Sequence, residues 1–314
     1  MTTTEMQSPS IVGEEPDQFK HRLGLIPLSI IMLAIGIAWR VVDVMVLDLG
    51  STWLNILPSK LFPLIILLFV LWRYYEDGLG STLGLTKENM KAHIVLGIGI
   101  GFSFFLAVDL GGAVLYSIFV DPTYSTSIIA AKAGLLAYSF IFFFINAVYE
   151  ETLFRGLLQN GLREKITIYP AIMTSSIIFG VWHAVWPVAN GSPIGEGLSL
   201  IIFSGIIGGF FGIYYEKFAS RKSLIGPIAA HTLFNFMREC FKVGAAGQIE
   251  GPDVSFSNPI IMAFMMVLFL GLFGSYFVLA YRYRVESVEM PGTRFREKIA
   301  NFGNNESTNT TNNT

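Results

Sequence analysis

Apolar residues in this chain run in long blocks, without the strict alternation of a half-buried strand or the one-sided stripe of a surface helix. A helix rising 1.5 Å per residue needs about 20 predominantly apolar residues to cross a bilayer. Eight blocks meet or approach that length: Leu23–Val46, Ile56–Trp72, Ile94–Val120, Leu135–Leu158, Tyr169–Val188, Leu198–Tyr215, Leu224–Phe241 and Ile260–Tyr281. The second and sixth are short, and the first carries Arg40 and Asp43. The pattern predicts an all-α polytopic membrane protein of about eight transmembrane helices, occupying residues 23–284. Residues 1–22 read as a polar N-terminal tail, acidic before it turns basic, which is the reverse of a secretory signal, so the first block is expected to be retained. Residues 285–314, ending in an Asn/Thr-rich run, read as a disordered polar tail.

Composition agrees. Charged residues make up 14% of the chain, against about 25% in soluble domains. Mean hydropathy is +0.57, and that surplus of apolar surface requires a lipid bilayer as partner. A net charge of −2 supplies no positive field for nucleic acid, which is therefore not an expected partner. The single Cys240 rules out an intramolecular disulfide.

Lysine and arginine at the block ends set an orientation. Alternate connections hold sixteen of them on one side, against Lys60, Lys132 and Lys242 on the other, with Arg40 and Arg238 inside or near blocks. Both termini are therefore expected to be cytoplasmic, in the plasma membrane or the endoplasmic reticulum depending on the host.

An ionisable side chain deep in a span costs about 2.5–3.5 kcal/mol on insertion scales and is by default a functional candidate. The fourth block ends Tyr149-Glu150-Glu151-Thr152-Leu153-Phe154-Arg155. Adjacent helical positions diverge by about 100°, so Glu150 and Glu151 face different partners. Glu151 and Arg155 stand at i and i+4, where opposite charges meet and neutralise each other. Glu150 is left without a local cation. A solvated helix end is the competing reading of this segment. The fifth block adds Phe179 and His183, and the seventh His231 and Asn235, again at i and i+4. Counted at 1.5 Å per residue, Glu150, His183, His231 and Asn235 lie about 14–22 Å from the cytoplasmic edge, a common band in which three helices converge.

Glu150-Glu151-x-x-x-Arg155, Phe179-x-x-x-His183 and His231-x-x-x-Asn235 resemble, in order and spacing, the three signature motifs of the CAAX protease and bacteriocin-processing superfamily. This is a group of intramembrane proteases also called the Abi family, whose best-known branch is the Ras-converting CAAX endopeptidase. The region carrying the motifs, residues 135–241, is about a third of the chain. The resemblance implies peptide-bond hydrolysis within the membrane, on membrane-bound or prenylated, CAAX-type protein substrates. By the family pattern Glu150 and His183 activate a water, and His231 and Asn235 donate hydrogen bonds to the tetrahedral oxyanion. Glu151, Arg155 and Phe179 give structural support.

No cofactor is favoured, and zinc is the alternative. A catalytic His₂Glu zinc site would use Glu150, His183 and His231, but each arrives on its own span, without a preorganising His-x-x-x-His pair. Two other functional classes compete: a transporter relaying protons through buried Glu, His and Arg, and a catalytically silent scaffold or immunity protein. No paired halves with interrupted spans support the first, and the intact seven-residue set speaks against the second. Remaining features read as structural. Gly97/Gly99/Gly101, Gly205/Gly209 and Gly208/Gly212 suit close helix approach. Asp43 and Asp109 suit packing or a polar cavity, Trp182 and Trp186 suit interface anchoring or cavity lining, and His21 and His93 read as interfacial.

Overall fold

The computed structural model describes residues 23–47, 57–74, 79–124, 126–130, 136–189, 191, 193–245 and 259–283. The two expected tails, His21, and the side chains of Asp43 and Trp186 lie outside the described residues. Each of the eight apolar blocks is helical. The helices are α1 (Leu25–Val41), α2 (Pro58–Tyr74), α3 (Leu79–Leu83), α4 (Met90–Phe105), α5 (Gly112–Phe119), α6 (Leu136–Glu151), α7 (Asn160–Arg163), α8 (Ile168–Ala189), α9 (Ile194–Ile213), α10 (Ile225–Cys240) and α11 (Pro259–Arg282). Four π-helical segments, Val42–Leu47, Leu106–Gly111, Thr152–Gln159 and Tyr214–Phe218, extend α1, join α4 to α5, join α6 to α7, and extend α9.

Among the described residues, five stretches are long and apolar enough to cross a membrane: Leu25–Leu47, Met90–Phe119, Ile168–Val185, Gly197–Phe218 and Ala263–Arg282. The other three blocks, α2, α6 and α10, are helices too, but they carry Lys60, the Glu150/Glu151 pair and His231/Asn235 respectively. α2 and α10, at 17 and 16 residues, are also the shorter helices, and the polar groups they carry join His183 of the spanning helix α8 at the site. The molecule is an all-α polytopic membrane protein whose faces are sorted accordingly. Ile30, Phe69, Trp72, Val95, Ile141, Met173 and Leu270 are exposed, whereas Glu150, Glu151, Arg155, Gln159 and His231 are buried. That distribution suits a hydrocarbon surround.

Among the described residues, the two largest of four apolar clusters account for most of the interior. One unites Met32 of α1, Leu67 and Leu71 of α2, Tyr149 of α6, and Phe179 of α8 with the π segment's Leu153, Phe154 and Leu157. The other unites Phe104 of α4, Phe210 and Phe211 of α9, Phe234 of α10 and Phe269 of α11. Phe104 contacts the Phe210 and Phe269 rings at centroid separations of 5.3 and 5.5 Å.

Glycine sets how closely some helices approach. A β-carbon on Gly97 would lie 2.5 Å from the Gly226 carbonyl oxygen, and one on Gly101 2.5 Å from that of Ala230, so α4 and α10 meet backbone to backbone. Gly99 faces open space and takes no part. On α9, Gly208 gives the room in which the Arg155 guanidinium lies: a β-carbon there would be 2.9 Å from Nη2.

The π segment after α6 is buried along its whole length from Thr152 to Gln159, which overturns the solvated-end reading of Glu151 and Arg155. A π turn releases carbonyls from the regular ladder, and buried carbonyls need donors. Ser175 Oγ donates to the Phe154 carbonyl at 2.8 Å, and Asn160 Nδ2 to that of Gly156 at 2.8 Å. A short antiparallel ribbon, β1 (Thr126–Ala130) with β2 (Phe241–Ala245), stops α10 one residue before the apolar block ends and pairs Ala130 with Phe241. His93 is not interfacial: it is buried on α4 with Nδ1 2.9 Å from the Tyr214 hydroxyl. Asp109 and Arg238 stand in an ion pair at 3.6 Å.

Candidate active site

α6 delivers two adjacent carboxylates to different neighbours, as the 100° step requires. Glu151 turns towards the π segment, where Arg155 Nη1 reaches its Oε1 at 3.1 Å, and both side chains are buried. The same oxygen takes a second contact, from His231 Nδ1 at 2.8 Å. Arg155 lies over the Phe179 ring at 4.3 Å and the Phe211 ring at 5.6 Å, and His231 stacks on Phe211 at 5.7 Å. Phe179 and Phe211 belong to the two separate apolar clusters. Arg155 and His231 are thus clamped at the seam between them.

Glu150 faces the other way and is also buried. Its Oε1 is held by the Lys60 ammonium at 2.7 Å and by Trp182 Nε1–H at 3.2 Å. Its Oε2 has no hydrogen-bond partner among the described residues. Two imidazole nitrogens, His183 Nε2 and His231 Nε2, each lie 3.6 Å from that oxygen, too far for a direct hydrogen bond. His183 Nδ1 lies 2.9 Å from the Phe179 carbonyl oxygen. A carbonyl only accepts, so the proton sits on Nδ1 and the neutral ring presents Nε2 as an acceptor. Glu150 Oε2 and His183 Nε2 are then two acceptors side by side, an arrangement that the two O–H donors of one water molecule would satisfy.

A cavity of about 250 Å³ opens beside these groups, lined by Gly36, Arg40, Ser59, Lys60, Phe142, Asn146, Glu150, Trp182, His183 and Asn235. The structure brings Glu150, His183 and Asn235 to that cavity, with His231 behind Glu150. It holds Glu151, Arg155 and Phe179 in the layer that packs against His231.

Two contributors are not evident from the sequence pattern. Lys60 reads there as a loop cation, although it falls inside the second apolar block; an ionisable residue within a span is the available signal. Glu150 consequently has a cation after all, supplied by α2 and not by its own helix. Trp182 is a cavity-lining residue whose indole N–H bonds the carboxylate. The Glu151–His231 contact joins residues 80 apart and has no sequence signature.

The donor set does not suit a metal ion as it stands. Among the described residues no group of three or more His, Cys, Asp or Glu side chains is placed to hold one. The carboxylate that would ligate it already bears an ammonium at 2.7 Å.

Residues 132–237, about a third of the chain, match the family model described as Type II CAAX prenyl endopeptidase Rce1-like. That segment contains Glu150, Glu151, Arg155, Phe179, His183, His231 and Asn235, and leaves out Lys60. No curated protein matches the chain.

Proposed function

We propose that this membrane protein, whose residues 132–237 match the Type II CAAX prenyl endopeptidase Rce1-like family model, is an intramembrane endopeptidase that hydrolyses membrane-bound or prenylated, CAAX-type proteins with a water activated by Glu150 and His183. The observation that carries this reading is the unpartnered Oε2 of Glu150, buried 3.6 Å from two imidazole Nε2 atoms at the edge of a cavity.

A water lodged there donates one O–H to Glu150 Oε2 and the other to His183 Nε2, leaving an oxygen lone pair for a peptide carbonyl in the cavity. Attack forms the C–O bond and passes a proton to Glu150. The oxyanion accepts hydrogen bonds from Asn235 Nδ2–H and from His231 Nε2–H, whose ring Glu151 holds through Nδ1. Collapse breaks the C–N bond, and the proton held by Glu150 goes to the departing amine. Such donors cost little reorganisation because their own partners fix them. Glu151 does that for His231, and the Phe179 carbonyl holds His183 with Nε2 free to accept from the water.

The test is hydrolysis by the purified full-length protein, in detergent or liposomes, of a library of peptides with lipidated C-terminal segments. Reaction in ¹⁸O-water should yield products with one ¹⁸O in the new C-terminal carboxylate. Intact library peptides after prolonged incubation with folded protein would refute the peptidase reading. We infer also that both termini face the cytoplasm, from the sixteen-to-three distribution of Lys and Arg. Labelling of Ser220→Cys from the cytoplasmic side alone checks that orientation.

A further inference from the structure

We propose that Lys60 is a positioning residue for the general base: its ammonium holds one oxygen of Glu150, keeps the carboxylate ionised, and so directs the other oxygen at the reacting water. This rests on the peptidase reading above and goes beyond it, because Lys60 lies outside the matched segment and on a helix that carries none of its motifs.

The argument begins with cost. A carboxylate withdrawn from water into an apolar interior neutralises itself unless a cation and donors compensate it. Arg155 engages Glu151 through Nη1. Lys60 engages Glu150, at 2.7 Å, from the first turn of α2. Pro58 opens that helix, a position where the missing N–H is not needed, so the turn bearing Lys60 is preset. The ammonium also lies 5.3 Å from the Trp182 ring centroid and 5.9 Å from that of Tyr149. Aromatic faces attract a cation there without competing for the carboxylate.

The asymmetry of the two carboxylate oxygens gives the pair its consequence. Oε1 receives both the Lys60 and Trp182 donors, whereas Oε2 receives no donor among the described residues and faces both imidazoles. With the ammonium removed, Trp182 alone neither fixes the carboxylate plane nor supplies a charge. The base then loses ionisation and aim together, while the other residues that line the cavity stay in place. The signature is therefore a loss in kcat at nearly constant KM.

The experiment compares wild type, Lys60→Met, Lys60→Gln and Lys60→Arg as purified full-length proteins, on whichever library peptide the wild type cleaves, with rates normalised to the monodisperse fraction from size-exclusion chromatography. Lys60→Met and Lys60→Gln should each lower kcat by about 10²-fold or more, the lower end of what general acid–base catalysis contributes, with KM changed less than threefold. Lys60→Arg, which keeps the charge, should recover to within tenfold of wild type. Should Lys60→Met fail to fold, Lys60→Gln carries the test, and Glu150→Gln/Lys60→Met, in which neither charge is buried, should fold again. A folded neutral variant with unchanged kcat overturns the proposal, as does a rise in KM alone or an arginine variant no better than glutamine. A wild type that cleaves nothing overturns the peptidase reading instead. Cleavage by wild type together with an inactive Glu150→Gln upholds that reading, and the Lys60 variants then decide the positioning role by themselves.

Discussion

His231 Nδ1 lies 2.8 Å from Glu151 Oε1, the same oxygen that Arg155 Nη1 reaches at 3.1 Å. One buried carboxylate thus serves a guanidinium on its own chain segment and an imidazole on α10. Deleting one member of a buried ion pair strands the other, at about 3–5 kcal/mol, whereas deleting both leaves no bare charge. Glu151→Ala should therefore lower the melting temperature more than Glu151→Ala/Arg155→Met. A thermal double-mutant cycle in detergent measures this, and strictly additive losses would contradict the pairing.

Groups that touch the reacting atoms should separate from those that position them. Glu150→Ala, His183→Ala and His231→Ala are each expected to abolish cleavage by the folded, membrane-inserted fraction, which Glu150→Ala reduces because it leaves Lys60 without its carboxylate. Asn235→Ala should reduce turnover by about 10²–10³, the loss typical of one oxyanion donor. Rate measurements on the four purified variants check the assignment; full activity in Glu150→Ala would remove the base.

Much of this arrangement is legible in the sequence because membrane segments announce themselves. Each of the eight apolar blocks is helical among the described residues, and Lys60, Glu150 and His231 are ionisable residues set within three of them, α2, α6 and α10. The spacing of Glu151 and Arg155 is also readable, since i and i+4 positions share a face. What escapes is non-local or irregular. The π turn from Thr152 to Gln159 departs from the 3.6-residue period that sequence reading assumes, and nothing in the residue types requires it. Contacts such as Lys60–Glu150 and His231–Glu151 join residues 90 and 80 apart, and which helices become neighbours depends on packing. His93 shows the converse error: charged neighbours in sequence suggest an interface, yet the helix turns its imidazole inward to Tyr214.

Close contact between α4 and α10 fixes where His231 stands, and it depends on missing side chains. Gly101→Ala would drive a β-carbon to 2.5 Å from the Ala230 carbonyl oxygen, against backbone that has no rotamer to yield. A loss of about 1–3 kcal/mol, the usual cost of overpacking, is expected, along with reduced turnover because Ala230 adjoins His231. Gly99→Ala meets nothing within 4 Å and should be neutral or stabilising by up to about 1 kcal/mol. Melting temperatures of the two variants give the comparison; equal effects would show that helix propensity, not contact, governs the pair.

Metal dependence is the sharpest remaining test of the chemistry, because the imidazole orientation serves two mechanisms. A zinc-bound histidine donates its second ring N–H to a carbonyl or carboxylate, and His183 and His231 meet Phe179 O and Glu151 Oε1 in that way. A metal-free base needs the same restraint. Lys60 distinguishes the cases: a divalent ion ligated by Glu150 would sit against an ammonium already 2.7 Å from that carboxylate, and the repulsion between like charges in a low-dielectric site is severe. Exhaustive chelation of the purified protein should accordingly leave cleavage unchanged, and elemental analysis of the active fraction should find zinc well below one equivalent. Stoichiometric zinc, with activity lost on chelation and restored by its return, would turn Glu150, His183 and His231 into ligands and displace Lys60 from the role assigned to it.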